Sequence, residues 1–273
     1  MIPMTDLEFT QLAELIKRRA GIHLKAEKRA LLAGRLQKLV QDKGLESFSE
    51  YYNLLQGRNH TSAAELTQLV DRISTNHTFF MREQGHFTYF RQQVLPELLQ
   101  RQGERDLRIW SAGCSSGEEP YTLAMLIDEA FSGDGRRGWD TQLLATDISN
   151  SALEAARRGR YSAEALGALP ERWARRYFEP EEKGYYTVKP AIRSQVLFRR
   201  FNLMDEKFPF TRRFHAIFCR NVMIYFDQAT RIRLVHKFYE MTEPGGYLFI
   251  GHSESLDRER TAYRYVMPAV YRK

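Results

Sequence analysis

Leu107-Arg-Ile-Trp-Ser-Ala-Gly-Cys-Ser-Ser-Gly-Glu-Glu-Pro-Tyr121 decides the fold. Leu107 to Trp110 is a short apolar run with the length and bounding residues of a buried strand. Seven small residues, Ser111 to Gly117, break it. Glu118, Glu119 and Pro120 then supply the acids and the proline that the first turn of a helix favours. Leu123, Ala124, Leu126, Ile127 and Ala130 continue at helical spacing up to Phe131. Strand, small-residue turn and helix is how a doubly wound α/β domain opens a nucleotide-type pocket.

The turn is not a phosphate loop. Gly113-xxx-Gly117 matches neither G-x-G-x-x-G nor G-x-x-x-x-G-K-[ST]. No Lys or Arg lies between Gly113 and Tyr121, and two carboxylates stand where a phosphate would be repelled. Such a helix start suits a ligand with an amine, a sulfonium or ribose hydroxyls. The same two acids also complement a helix dipole, and the stretch alone leaves both readings open.

Downstream, Thr141 to Ile148 reads as a second strand, with Asp147 at its end where this fold places a partner for ribose hydroxyls. The interval from Gly113 exceeds the ~20 residues of the dinucleotide fingerprint, the surplus lying in the Gly-rich loop Ser132 to Gly138. Ser149 caps a following helix to Arg158. Arg160 to Tyr177 reads as a helical connector, and Tyr185 to Val188 and Arg193 to Phe201 as short strands that make a small β excursion before the main sheet returns at Val196 to Asn202. Ala216 to Cys219 is another buried strand, ending in Arg220-Asn221 at the carboxyl edge where such sheets bind ligands. A helix from Gln228 to Met241, a Glu243-Pro-Gly-Gly246 turn, a strand to Gly251 and a closing β segment to Tyr271 complete the series.

Before residue 85 the pattern is helical, with no strand signal and no repeat. Helices are expected from an Asp6 cap to Arg19, from Glu27 to Asp42, from Phe48 to Leu55 and from Ala63 to Ser74. A loop spans Gly57 to Ser62, and a joining helix runs from Gln84 to Gln102. We therefore expect an N-terminal helical domain over 1–85 and an α/β domain over 86–273, with a β-subdomain at about 178–196.

The 43% hydrophobic content supports a packed core. Cys114 and Cys219 form no C-x-x-C and no disulfide framework. No signal peptide and no run of the ~18 apolar residues a span needs is evident, so a cytoplasmic location is expected. The net charge of +7 points to an acidic partner. Lys17 to Lys43 holds nine Lys and Arg against Glu27 and Asp42, an excess equal to that whole charge. Lys28, Arg35 and Lys38 fall along one helix face, flanked by Leu31, Leu32, Leu36 and Leu39, with Ala30, Ala33, Gly34 and Gln37 opposite. Either the face docks an acidic partner or its stems pack over the bundle core.

Five motifs in order make a resemblance specific. They are Asn76-x-Thr78-x-x-x-Arg82-Glu83, Trp110 to Tyr121, Ala145-Thr-Asp-Ile148, Phe218-Cys-Arg-Asn-Val-Met-Ile-Tyr-Phe226 and Gly251-His-Ser-Glu254. Over nearly its whole length the chain resembles the chemotaxis receptor methyltransferases, the CheR family. Met81 departs from the Phe often found before the Arg. The resemblance implies a Rossmann-like class I methyltransferase domain behind a helical bundle. It implies a protein-glutamate O-methyltransferase that takes a methyl group from S-adenosylmethionine, leaves S-adenosylhomocysteine and esterifies glutamates of a receptor's acidic helical bundle.

Carried over by motif position, the cofactor contacts are Asn76, Thr78, Arg82, Gly113, Glu119, Asp147, Asn202, Leu203, Arg220 and Asn221. Arg82 and Tyr225 belong to the methyl-transfer region, and Lys28, Arg35 and Lys38 to receptor docking. No metal, no nucleic acid and a monomer are expected. A nucleic-acid methyltransferase would share the positive charge but lacks its Asn/Asp-Pro-Pro-Tyr/Phe motif here; a binding-only relative would not need intact Arg82 and Tyr225. In some family members the β-subdomain grips a peptide at the receptor's C-terminus. The compact Glu181-Glu-Lys-Gly184 turn leads us to expect an enzyme independent of that tail.

Overall fold

A computed structural model describes residues 2–57, 60–100, 105–131 and 138–273. The tip of the Gly57–Ser62 loop, most of the Ser132–Gly138 loop and the end of the expected joining helix lie outside the described residues.

The N-terminal helices are α1 (Asp6–Ala20), α2 (Arg29–Asp42, entered through a 3-10 turn, Ala26–Lys28), α3 (Phe48–Gln56) and α4 (His60–Ile73). Thr5, not the expected Asp6, caps α1. Its Oγ1 accepts the Glu8 N–H while Glu8 Oε2 accepts the Thr5 N–H, a reciprocal capping box. The other Glu8 oxygen accepts the Ser49 N–H at 2.9 Å, so one carboxylate pins α1 to α3. Leu12, Leu15, Ile16, Leu32, Leu36, Phe48 and Tyr51 fill the bundle core.

After residue 83 come α5 (Gln84–Tyr89), a π turn (Phe90–Val94) and α6 (Leu95–Leu99). The α/β domain follows with β1 (Ile109–Ala112), α7 (Glu118–Ala130), β2 (Leu143–Asp147) and α8 (Asn150–Arg158). Ser149 caps α8 as expected. Then come β3 (Arg160–Ser162), α9 (Ala163–Leu166), α10 (Glu171–Tyr177), β4 (Phe178–Pro180), β5 (Tyr185–Val188), α11 (Pro190–Arg193) and β6 (Val196–Arg200). The chain closes with β7 (Phe214–Cys219), α12 (Gln228–Met241), β8 (Thr242–Ile250), β9 (Arg264–Met267) and β10 (Val270–Arg272).

Seven strands form one sheet in the order β6-β2-β1-β7-β8-β10-β9, parallel from β6 to β8 and antiparallel at the β9–β10 hairpin. From β1 the chain moves to β2 on one side and later to β7 on the other, so the carboxyl ends of β1 and β7 are a topological switch point. Two apolar clusters cover the two faces. Trp110 anchors one among Phe201, Phe208, Phe210, Phe214 and Phe238, its indole N–H donating to Thr146 Oγ1 at 2.9 Å.

Two local expectations need correction. Arg160–Ser162 is a strand rather than part of a helix: β3 pairs with β5, and β5 with β4, in a separate three-stranded antiparallel sheet. This sheet thus begins before residue 178, while β6 belongs to the main sheet, as expected from Val196 onward. Glu243-Pro-Gly-Gly246 is not a free turn but the irregular start of β8, with a register shift opposite Phe214 and Ala216. A Cβ at Gly246 would stand 2.9 Å from the carbonyl oxygens of Glu243 and His215, so only glycine lets the strands approach there.

Bundle and sheet meet along a tight seam. Ile22 pairs with Phe226 in a β-bridge, and the His23 N–H donates to the Tyr225 carbonyl at 2.8 Å. Lys17 and Asp227 form an ion pair at 2.7 Å. Gly21, at φ 73°, lies so close to Met204 that an added Cβ would be 2.4 Å from its sulfur. No helix among the described residues is long and apolar enough to cross a membrane.

Candidate functional site

A cavity of about 320 Å³ opens at the switch point. Its floor is made by the ends of β1, β2, β6 and β7; its opposite wall is the segment that leads from α4 to α5. Asn76, Thr78, Arg82, Gly113, Glu119, Asp147, Asn202, Leu203, Arg220, Asn221 and Tyr225 all line it. The structure therefore gathers every candidate cofactor and methyl-transfer residue named from sequence into one space.

The floor is built by backbone. Gly113 and Cys114 N–H groups donate to the Thr146 carbonyl at 2.8 and 2.9 Å, tying the β1 turn to the end of β2. Gly113 has φ 86°, and a Cβ there would meet Val222 at 2.4 Å. Asp147 accepts the Ser115 N–H at 2.8 Å on one oxygen and the Ser149 N–H at 2.9 Å on the other. Burial pushes its carboxyl upward against those bonds, so this group gains from a cation or hydroxyl donors in the cavity. Cys114 and Cys219 are free and buried, with thiols raised by that burial, which makes them packing residues.

Arg220 organises the far wall. Its guanidinium donates to Glu119 Oε2 at 3.0 Å, to Glu83 Oε2 at 3.1 Å and to the Arg82 carbonyl, and it lies over the Phe87 ring. Glu119 also accepts the Ser111 hydroxyl at 2.7 Å. Glu83 Oε1 accepts from Asn221 Nδ2 and from the His252 N–H, both at 3.1 Å. Burial pulls the Glu83 carboxyl up, but Arg220 and these hydrogen bonds outweigh it and hold it below the usual carboxylate range. Behind the wall, Glu254 accepts the N–H groups of Asn221, Ile224 and Gly251, and burial raises its carboxyl despite them.

Four non-glycine residues around this site, Met81, Glu83, Ser115 and Asn221, have φ between 49° and 60°. A left-handed backbone on such residues costs of order 1–3 kcal/mol each. The network above is what holds them.

The roles divide unevenly. Arg82 donates to the His77 carbonyl at 2.8 Å and lies against Phe79, but no carboxylate among the described residues pairs with it. Its remaining donors are available to an incoming anion. Tyr225 is half-buried beside the cavity, its carbonyl held by His23. Asn202 turns its amide away: Nδ2 donates to the Arg19 carbonyl at 2.7 Å and Oδ1 accepts the Met204 N–H at 3.0 Å. It serves the bundle–sheet seam with both side-chain ends.

The three basic residues on α2 and the turn that enters it are not equivalent. Lys28 and Lys38 are exposed, whereas Arg35 donates to the Ile73 carbonyl and to Thr75 Oγ1, at the start of the cavity wall. Leu32, Leu36 and Leu39 are buried, and only Leu31, 46% exposed, shares the outer face; Ala30 and Gly34 lie outward, not opposite. The leucines point into the bundle core, and Arg35 sits on the border between core and solvent.

Sequence reasoning assigned no role to Glu83, Glu254, Phe87 or His86. The first two sit inside quoted motifs, so the signal was present; their common target, the Arg220-Asn221 corner, appears only once distant strands are assembled.

Comparison with known proteins agrees with this architecture. A sequence model of the CheR methyltransferase SAM-binding domain matches residues 76–271, and one of the CheR all-alpha domain matches residues 7–74. The chain belongs to the CheR methyltransferase family. This CheR chain is 42% identical over 275 residues to the chemotaxis protein methyltransferase of Borreliella burgdorferi, covering 100% of the chain and 96% of that protein. It is 39% identical to chemotaxis protein methyltransferase 1 of Pseudomonas aeruginosa, covering 96% and 94%. The Escherichia coli chemotaxis protein methyltransferase is 38% identical, covering 93% and 86%. Chemotaxis, methyl transfer and S-adenosylmethionine as the methyl donor follow from this membership.

The lining fits that cofactor. Arg220 is outnumbered by Glu83 and Glu119, and Asp147 has no cationic partner among the described residues, so this side of the cavity favours a ligand with an ammonium, a sulfonium and ribose hydroxyls. Gly113 lets the backbone come close to it.

Proposed function

We propose that this CheR methyltransferase esterifies glutamate side chains on the cytoplasmic helices of a chemoreceptor. The observation that carries this reading is Arg82: a guanidinium on the rim of an acid-lined cofactor cavity, free of any protein carboxylate among the described residues. A planar fork of donors is the group best matched to a carboxylate.

A glutamate has a pKa of ~4.3, so near pH 7 it is ionised and needs no general base. When bound, the cofactor supplies the methyl electrophile. The protein's task is alignment, bringing a carboxylate oxygen in line behind that methyl. Arg82 is held by His77 and Phe79, and its carbonyl by Arg220, so its position is coupled to the wall of acids. Tyr225 borders the same space, on a loop fixed to the bundle through His23. Asn76, Thr78, Gly113, Glu119, Asp147, Leu203, Arg220 and Asn221 provide the cofactor surface in this reading. Asn202 contributes through its backbone, since its amide is committed elsewhere.

The outer face of α2 is the docking surface for the acidic receptor helices, with Lys28 and Lys38 as its exposed charges and Arg35 as the residue joining it to the cavity wall. The β3–β5–β4 sheet, closed by a turn in which Lys183 and Gly184 both have positive φ, is proposed to work without the receptor tail. Micromolar binding of a free tail peptide would overturn that last point.

Incubation with methyl-labelled cofactor and a receptor cytoplasmic fragment tests the reading. Base-labile label on receptor glutamates supports it. Label on nucleic acid, or cofactor binding with no transfer to any receptor fragment, contradicts it.

A further inference from the structure

We infer that Glu83, His86 and His252 form a binding site for a divalent transition metal, with Zn²⁺ as its natural probe. Their candidate donor atoms all lie within 4.8 Å of one another. His86 Nδ1 is 3.5 Å from Glu83 Oε2, and the two imidazole rings meet edge-on with centroids 4.6 Å apart.

His86 is what makes this more than a surface coincidence. It is fully buried, and neither ring nitrogen makes a well-formed hydrogen bond among the described residues. An imidazole buried without well-formed hydrogen bonds forfeits about 1–3 kcal/mol, a loss that a bound metal would offset. The Pro268 carbonyl lies beside the ring. That carbonyl can take the N–H of whichever nitrogen does not ligate, the usual outer support of a metal-bound histidine.

Two histidines and one carboxylate are a donor set that Zn²⁺ accepts at ~2.0–2.2 Å, with the fourth tetrahedral position left to water. His252 is exposed, so its ring can swing inward by the ångström or so that ligation needs, and water can reach the remaining position. The charges agree. Glu83 and Glu119 share the one guanidinium of Arg220, and Glu254 adds a third carboxyl at the adjoining Asn221 N–H. The corner therefore carries more carboxylates than cations.

Occupancy has a cost for the neighbouring chemistry. A metal on Glu83 competes with Arg220 for the same carboxylate and loosens the wall that holds Arg82. Zn²⁺ is therefore expected to slow methyl transfer, which rests on the function proposed above; binding itself does not.

The test is calorimetric titration of chelator-stripped full-length protein with Zn²⁺, with retained metal measured after desalting. About one Zn²⁺ per chain is expected. A four-coordinate visible spectrum should appear on Co²⁺ substitution. His252→Ala should lower affinity by about tenfold or more, and His86→Gln likewise; His236→Ala, on the exposed side of α12, should leave it unchanged. Melting curves in chelator establish that each variant is folded. No retained metal in the parent protein, or full affinity in folded His252→Ala, overturns the site. If the metal binds as expected but receptor methylation is equally fast with and without it, the site stands and its effect on catalysis is refuted.

Discussion

Positive charge works in opposite ways in two regions of this molecule. At the Arg220 corner one guanidinium, 3% exposed, is enclosed by Glu83, Glu119 and the Arg82 carbonyl, with Asn221 bonded to the same Glu83. On the outer face of α2, Lys28 and Lys38 stand in solvent with no carboxylate partner among the described residues. The first arrangement fixes geometry and loses heavily if one member is removed. The second fixes nothing locally but creates a potential that acts at a distance and fades with salt. Charge on the surface recruits, and charge in the corner shapes.

The harshest way to break the comparison is Arg220→Ala. It leaves two half-buried carboxylates unpaired, so a stability loss of about 3–5 kcal/mol is expected by denaturant titration, with cofactor affinity lost alongside. A loss under about 1 kcal/mol would mean the corner is no more than a solvated charge pair.

Arg82→Ala should lower turnover about 100-fold through misplacement of the acceptor while cofactor affinity changes little. If the two fell in parallel, Arg82 would be a cofactor ligand and nothing else. Asp147→Ala should weaken binding of S-adenosylmethionine and of its demethylated product together, by about 1–3 kcal/mol in calorimetry; unchanged affinity would remove Asp147 from the site.

The gentlest test separates the members of the α2 face. Lys38→Glu should slow receptor methylation a few-fold at low salt, flatten its salt dependence and leave melting temperature and cofactor affinity alone. Arg35→Glu should also lower the melting temperature, because Arg35 caps the end of α4. Normal methylation at low salt by folded Lys38→Glu protein would sink the docking idea.

Much of this was legible in the sequence because it is written in local pattern. The Leu107–Tyr121 stretch shows strand, turn and helix in fifteen consecutive residues, and β5 and α12 fall where their patterning places them. What escaped depends on contacts between remote segments. Arg160–Ser162 is extended only because β5 lies beside it; three residues carry too little period of their own to show this. The Thr5 cap is written locally, as Thr-x-x-Glu, but the neighbouring Asp6 offers a competing cap signal in the same pattern. The site residues could be named from their motifs, but not their division of labour. Nothing near Asn202 announces that its amide belongs to the Arg19 carbonyl, and nothing near His86 announces His252.

The seam between bundle and sheet bears on how such an enzyme can change its clientele. Gly21 leaves no room beneath Met204, Ile22 is paired with Phe226, and His23 holds the carbonyl of Tyr225. A bundle borrowed from a paralogue would have to arrive with residues at 21, 22 and 23 that match Met204, Phe226 and Tyr225, or it would disturb the loop that borders the reaction. Wholesale exchange of recognition modules is therefore closed to this architecture. New receptor preferences have to be acquired by piecemeal drift on the outward side of α2, where Lys28, Leu31 and Lys38 can vary without reaching the seam.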